Sequence, residues 1–223
     1  WMDTLDIGIK DYEKLSTYFE ENNNVQRISR QQKSKICVVI GNPPYNATQT
    51  SFNNANPSDK YPHIDKLIQE DYSKTSTVQN NNASLDMYKR FLKWSSERIH
   101  KEGMIVFVSN NSFLDAKADD GFRRSVYGEF DYIYVVNLKG NARLAGDAWR
   151  REGGKIFGQQ ARVGITLSFF IKTGENNSEI QYAEVKDYMK REEKFEWLDN
   201  HSISTLEFKK IIPDENATWL NQT

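Results

Sequence analysis

Apolar positions along the chain follow two spacings. Short aliphatic runs recur at Lys35–Ile40, Met104–Ser109, Phe130–Leu138 and Gly164–Lys172, and each predicts a buried strand. Between them the spacing becomes helical. Asp11–Glu21 sets Leu15, Tyr18 and Phe19 on one side, and His63–Tyr72 does the same with Ile64, Leu67 and Ile68. Asp86–His100 aligns Tyr88, Phe91, Leu92 and Ile99, and Asp119–Gly128 turns Phe122 and Val126 inward. Strands alternating with helices predict an α/β fold with a mostly parallel sheet and right-handed crossovers. Ile180–Val185 reads as a further strand, short and at a sheet edge. From Tyr188 the pattern looks helical until Pro213. Residues 46–84 break the rhythm. They are rich in asparagine and unpatterned outside the helix just named, and loops of that length are usually functional or disordered.

Composition narrows the picture. A chain of 223 residues holds one sizeable core, not comfortably two. The net charge of −1 gives no overall nucleic-acid signal, so any basic surface must be local. One cysteine excludes an internal disulfide framework and fits a reducing compartment. Cys37, inside a strand, reads as core filler. His63, His100 and His201 lie far apart and beside no cysteine pair, so no metal site is expected. No stretch reaches transmembrane length, and no signal peptide opens the chain. The first residue is Trp, which suggests a piece of something longer.

The strongest chemical signal is the corner Val38-Val39-Ile40-Gly41-Asn42-Pro43-Pro44-Tyr45. Two prolines remove two backbone donors and fix two φ angles. A stiff elbow remains, offering the Asn42 side-chain oxygen and the Pro43 carbonyl as acceptors, with the Tyr45 ring next to them. Such a pair suits a planar amine, and strand ends are where open α/β sheets bind ligands. An ordinary Pro-Pro loop is the competing reading.

This corner resembles motif IV of amino-group methyltransferases that use S-adenosylmethionine. The likeness continues in order through Lys60-Tyr61-Pro62, Tyr88-Lys89-Arg90-Phe91, Trp94 to Ile99, Gly103 to Asp115, Asp120-Gly121-Phe122-Arg123 and Ile133 to Arg143. Roughly from residue 3 to residue 172, the chain is similar to the N6-adenine DNA methyltransferase part of type ISP restriction-modification enzymes. These single polypeptides join nuclease, helicase, methyltransferase and target-recognition parts. The resemblance implies the C-terminal part of a Rossmann-like sheet, with the Gly164–Lys172 strand inserted antiparallel. Residues 1–187 would be a partial catalytic domain, and residues 188–223 a helical tail leading towards target recognition. It also implies double-stranded DNA with a flipped adenine as partner and a bacterial cytoplasmic setting.

Site residues follow from the same likeness. Asn42, Pro43, Pro44 and Tyr45 would be catalytic, with Asn42 also bordering the cofactor. Asp3 would touch the cofactor's adenine, or is simply an exposed acid near a terminus. Phe157, in Gly153-Gly154-Lys155-Ile156-Phe157, would cover the flipped base, or is a core residue at a strand entrance. Tyr88 would frame the pocket or pack in the core. Asn110, Asn111 and Ser112 follow a strand and would either cap it or touch base edges. Residues 139–162 carry Lys139, Arg143, Arg150, Arg151, Lys155 and Arg162 against Asp147 and Glu152, which fits a phosphate grip or a solvated face.

One expected part is missing. No two of the twelve glycines are spaced Gly-x-Gly, so the turn that receives the methionine part of the cofactor is absent. The chain alone is therefore expected to be inactive. Three readings stay open: an adenine-N6 DNA methyltransferase, an amino-methyltransferase acting on RNA or protein glutamine, and a non-catalytic DNA-binding module.

Overall fold

Strand β1, Ile36–Gly41, is built from the β-branched run that precedes the elbow. In this computed structural model the described residues are 5, 27, 30, 31, 33–44, 61–78, 82–158 and 162–220. Asp3, Tyr45, the expected helix 11–21 and residues 46–60 and 79–81 of the long loop lie outside them.

Helix α1, Pro62–Ile68, has proline in its first turn, where the missing N–H is no loss. It runs into a wider turn over Gln69–Ser73. Helix α2, Met87–Arg98, buries Tyr88 and Leu92 as its spacing predicts. It also buries Lys89, Arg90 and Lys93, each against a carboxylate: Asp119, Asp65 and Asp71 respectively. Burying a charge is costly unless it is paired or hydrogen-bonded. Strand β2 spans Ile99–Asn110, longer than the apolar run alone, because Ile99 still pairs with Ile36 of β1. Helix α3 (Asp120–Glu129), strand β3 (Tyr132–Asn137), helix α4 (Gly146–Glu152) and strand β4 (Ile165–Lys172) follow. Strand β5 (Glu179–Glu184), helix α5 (Arg191–Asn200) and strand β6 (Lys209–Ile211) complete the order.

The sheet runs β1-β2-β4-β3-β5-β6. Strands β1, β2, β3 and β5 share one direction, while β4 opposes both of its neighbours. The expected antiparallel insertion is thus present, Phe107 standing opposite Ser168 and Val135 opposite the same residue. Two sequence expectations are corrected. The strand at residues 180–185 is not at an edge, because β6 pairs with its outer side. The segment after Asn200 is not helical, because Lys209–Ile211 finds backbone partners on β5, which periodicity cannot show.

The main core lies between the sheet and α2–α3. Tyr88, Phe113 and Phe122 pack there ring against ring, and Trp219 closes over Phe113 at 6.0 Å. Arg123, fully buried, donates to the carbonyls of Phe113, Ala116 and Ala217 and so ties the C-terminal segment to α3. A second cluster joins Leu138, Ile156, Ile165 and Val185 to Trp197 and Leu198 of α5.

Cys37 is exposed rather than core filler. Val38 and Ile40 are 51% and 76% exposed. Among the described residues β1 is an end strand paired only with β2, so it presents side chains that an interior strand would bury.

Candidate active site

Chain direction gathers the candidate residues at one end of the sheet. The C-terminal ends of β1, β2 and β3 and the N-terminal end of β4 point the same way. Asn42, Asn110, Lys139 and Gly164 therefore share that end, where open α/β sheets bind ligands.

The elbow's root is firm. A side-chain carbon on Gly41 would sit 3.2 Å from the buried Phe107 ring, so the backbone lies against β2. Pro43 is buried, whereas Asn42 and Pro44 are exposed. The elbow thus presents its amide outward while its second residue anchors it.

The neighbouring asparagines are structural. Asn110 is buried, donates to Asp86 at 3.2 Å, and accepts from the Ser112 backbone at 3.0 Å and its hydroxyl at 2.6 Å. Asn111 donates to the Asn137 side-chain oxygen at 3.0 Å. Asn137 in turn donates to the Tyr182 hydroxyl at 3.0 Å, and that hydroxyl donates to Glu184 at 2.7 Å. Burial and the Glu184 acceptor push the Tyr182 hydroxyl up, so it remains a donor. Gly164 makes room for this chain, since a carbon added there would sit 2.4 Å from the Asn111 amide nitrogen. Tyr88 is core, as its spacing suggests.

Lys139 leaves β3 at a positive φ of 56°, followed by Gly140 at 93°. Few residues other than glycine hold such a corner. Here the Asn137 side chain accepts from the Lys139 N–H at 3.0 Å, and Ile165 donates to the Lys139 carbonyl at 3.0 Å. The Lys139 ammonium is buried against Asp187 and Glu184, not placed to grip phosphate. It holds the Asp187 carboxyl below the usual carboxylate range. A pocket of about 510 Å³ opens here, lined among others by Asp115, Asn137, Lys139, Tyr182 and Glu184.

The rest of the basic segment does reach solvent. Helix α4 buries none of its residues. Arg143, Arg150 and Arg162 are exposed, and Arg151 is exposed while paired with Asp147 at 2.8 Å. Phe157 is exposed beside the buried Ile156, so it is not a core phenylalanine. Sequence reasoning missed Trp149, 52% exposed on α4, and Lys194, wholly buried beneath it. An aromatic among arginines was a readable signal for the first. Nothing in the sequence marked the second.

A sheet with an antiparallel strand set between β2 and β3, offering an Asn-Pro-Pro elbow at its C-terminal end, is the C-terminal part of a Rossmann-like methyltransferase fold. The chain belongs to the Eco57I restriction-modification methylase family, whose profile matches residues 2–143. It is similar to a nuclease-deletion mutant of the Type ISP restriction-modification enzyme LlaGI, solved in complex with a DNA substrate mimic. That likeness has 39% identity, covers 89% of this chain and 16% of the other, and has a TM-score of 0.85. A DrdV–DNA complex matches at 40% identity over 90% of this chain and 19% of that one, with a TM-score of 0.83. The ATP-dependent Type ISP enzyme LlaBIII bound to DNA matches at 36% identity over 91% and 14%, with a TM-score of 0.82. This chain therefore spans less than a fifth of these solved chains. Among the described residues no helix is long and apolar enough to cross a membrane, and no His, Cys, Asp and Glu group could hold a metal.

Proposed function

We propose that this chain is the target-amine half of a site-specific DNA methyltransferase. It acts on adenine N6, within a restriction-modification polypeptide that also carries nuclease, helicase and target-recognition parts. The exposed Asn42 elbow at the shared end of β1, β2 and β3, in a chain of this family, carries the reading. The target adenine must leave the duplex, because N6 is unreachable in the stack. Its amine is a weak nucleophile, since the lone pair is conjugated with the ring. The Asn42 oxygen and the Pro43 carbonyl accept the two amine hydrogens and favour a pyramidal nitrogen. Positioning and polarisation then suffice for direct transfer, and no covalent enzyme intermediate is needed. Once methylated, N6 would carry one proton too many, and it would pass that proton to solvent. Tyr45 and Phe157 cover the two faces of the base, and Arg143, Arg150 and Arg151 meet backbone phosphates.

S-adenosylmethionine would supply the methyl group as a good sulfonium leaving group. The residues present fit its acceptor side, through Asn42, with Asp3 assigned to its adenine. The Gly-x-Gly turn for its methionine part is not in this sequence, so the chain alone is expected not to transfer methyl. The test is label transfer from tritiated S-adenosylmethionine by the full-length enzyme, offered DNA, RNA and protein separately. Label in DNA, recovered as N6-methyladenine, is the expected result. Label in RNA or protein glutamine supports the amino-methyltransferase alternative. DNA binding without label supports a binding module.

A further inference from the structure

The segment 139–158 leaves the sheet end with no residue of α4 buried, yet it is not loosely attached. Its underside is fastened to the start of α5. Gly154 donates to the Met189 carbonyl at 2.9 Å, and Tyr188 donates to the Arg151 carbonyl at 3.0 Å. Arg191 donates to the Ile156 carbonyl at 3.0 Å. Gly153 and Gly154 allow the approach, since an added carbon would sit 2.1 Å from the Met189 carbonyl oxygen and 2.3 Å from the Arg191 nitrogen. At the centre lies Lys194, with no exposed surface. Its ammonium donates to the carbonyls of Glu152 at 2.8 Å and Gly154 at 2.7 Å. The last carbonyls of a helix have no partner within it, and a cation there also complements the helix dipole.

From this geometry we infer that Lys194 is a positioning residue for DNA engagement. It caps the end of α4 and sets the height of the arginine-bearing segment and Phe157 above the sheet end. Helix α5 is thereby a mount for the DNA grip. Burial of a lysine without a carboxylate partner is expensive, and it lowers Lys194 to about 8, with Glu152 opposing and Lys139 adding to the shift. The inference rests on the functional reading above.

The test uses the full-length polypeptide carrying Lys194→Met, and separately Arg191→Ala. The second removes the Ile156 bond from an exposed side chain and leaves the core filled. DNA affinity is measured from low to high salt, with S-adenosylmethionine affinity as control. Expected are affinity weaker by about tenfold at moderate salt for Lys194→Met and a salt slope reduced by about two phosphates, with cofactor affinity unchanged. Arg191→Ala shifts both in the same direction by less. If Lys194→Met fails to fold, Arg191→Ala decides alone. An unchanged slope in a folded variant overturns the inference, and if the wild type still methylates DNA, the functional reading survives. A wild type that binds no DNA sinks both.

Discussion

The two flanks of the sheet end are built in opposite ways. On the β1 flank the elbow stands on an end strand with Val38 and Ile40 largely exposed, with Pro43 buried and Gly41 lying against Phe107. On the β3–β5 flank polar groups are tied to one another, from Asn111 through the buried Asn137 and Tyr182 to the exposed Glu184, and from the buried Lys139 to the exposed Asp187. The lesson is a division of labour. On the proposed reading, an amide that binds the target amine has to stay open to it, and proline can stiffen it without many contacts. Elements that grip a charged polymer need a rigid base, and buried polar networks supply one only when all members are paired.

The comparison is broken most directly by Asn42→Ala. In the full-length enzyme methyl transfer should fall by at least about 100-fold, with folding kept, because the side chain is exposed. A variant retaining most activity in the label-transfer assay counts against the elbow. Gly164→Ala attacks the other flank. The new carbon displaces Asn111 and should cost about 2 kcal/mol, seen as faster hydrogen exchange along β3 and β4. Unchanged exchange means the asparagine chain is not stiffening the sheet end. Arg150→Ala should weaken DNA binding only a few-fold and lower the salt slope by about one, which a salt titration reads.

The smallest effect is one of pH. Lys194 is lowered to about 8 from an ordinary lysine value, so the folded state loses its proton before the opened state does. Its contribution therefore grows as pH rises above 8, by roughly 1 kcal/mol between pH 7 and pH 9. The neutral amine keeps enough donors for both carbonyls while shedding the burial penalty. Protection of residues 139–158 from proteolysis, taken as wild type over Lys194→Met, should rise over that interval. A flat ratio shows that Lys194 is not buried as described.

Much of the layout was legible before any coordinates. Short aliphatic runs and period-3.6 runs marked β1 to β5 and α1 to α3, and the elbow and its likeness to a methyltransferase motif were plain in the chain. Local stiffness and local amphipathicity are properties of neighbours in sequence, so a sequence displays them. Lys139 looked like a phosphate ligand and is a buried ion pair; Cys37 looked like filler and is exposed; the tail looked helical and supplies β6. Each depended on pairing that is set far along the chain: Asp187 for the lysine, β1 pairing only with β2 among the described residues for the cysteine, and β5 for the tail. What the linear order determined was which segments could be strand, helix or rigid corner. Which charges are used up internally and which are left at the surface was decided only in three dimensions, because pairing and burial are set by distance in space.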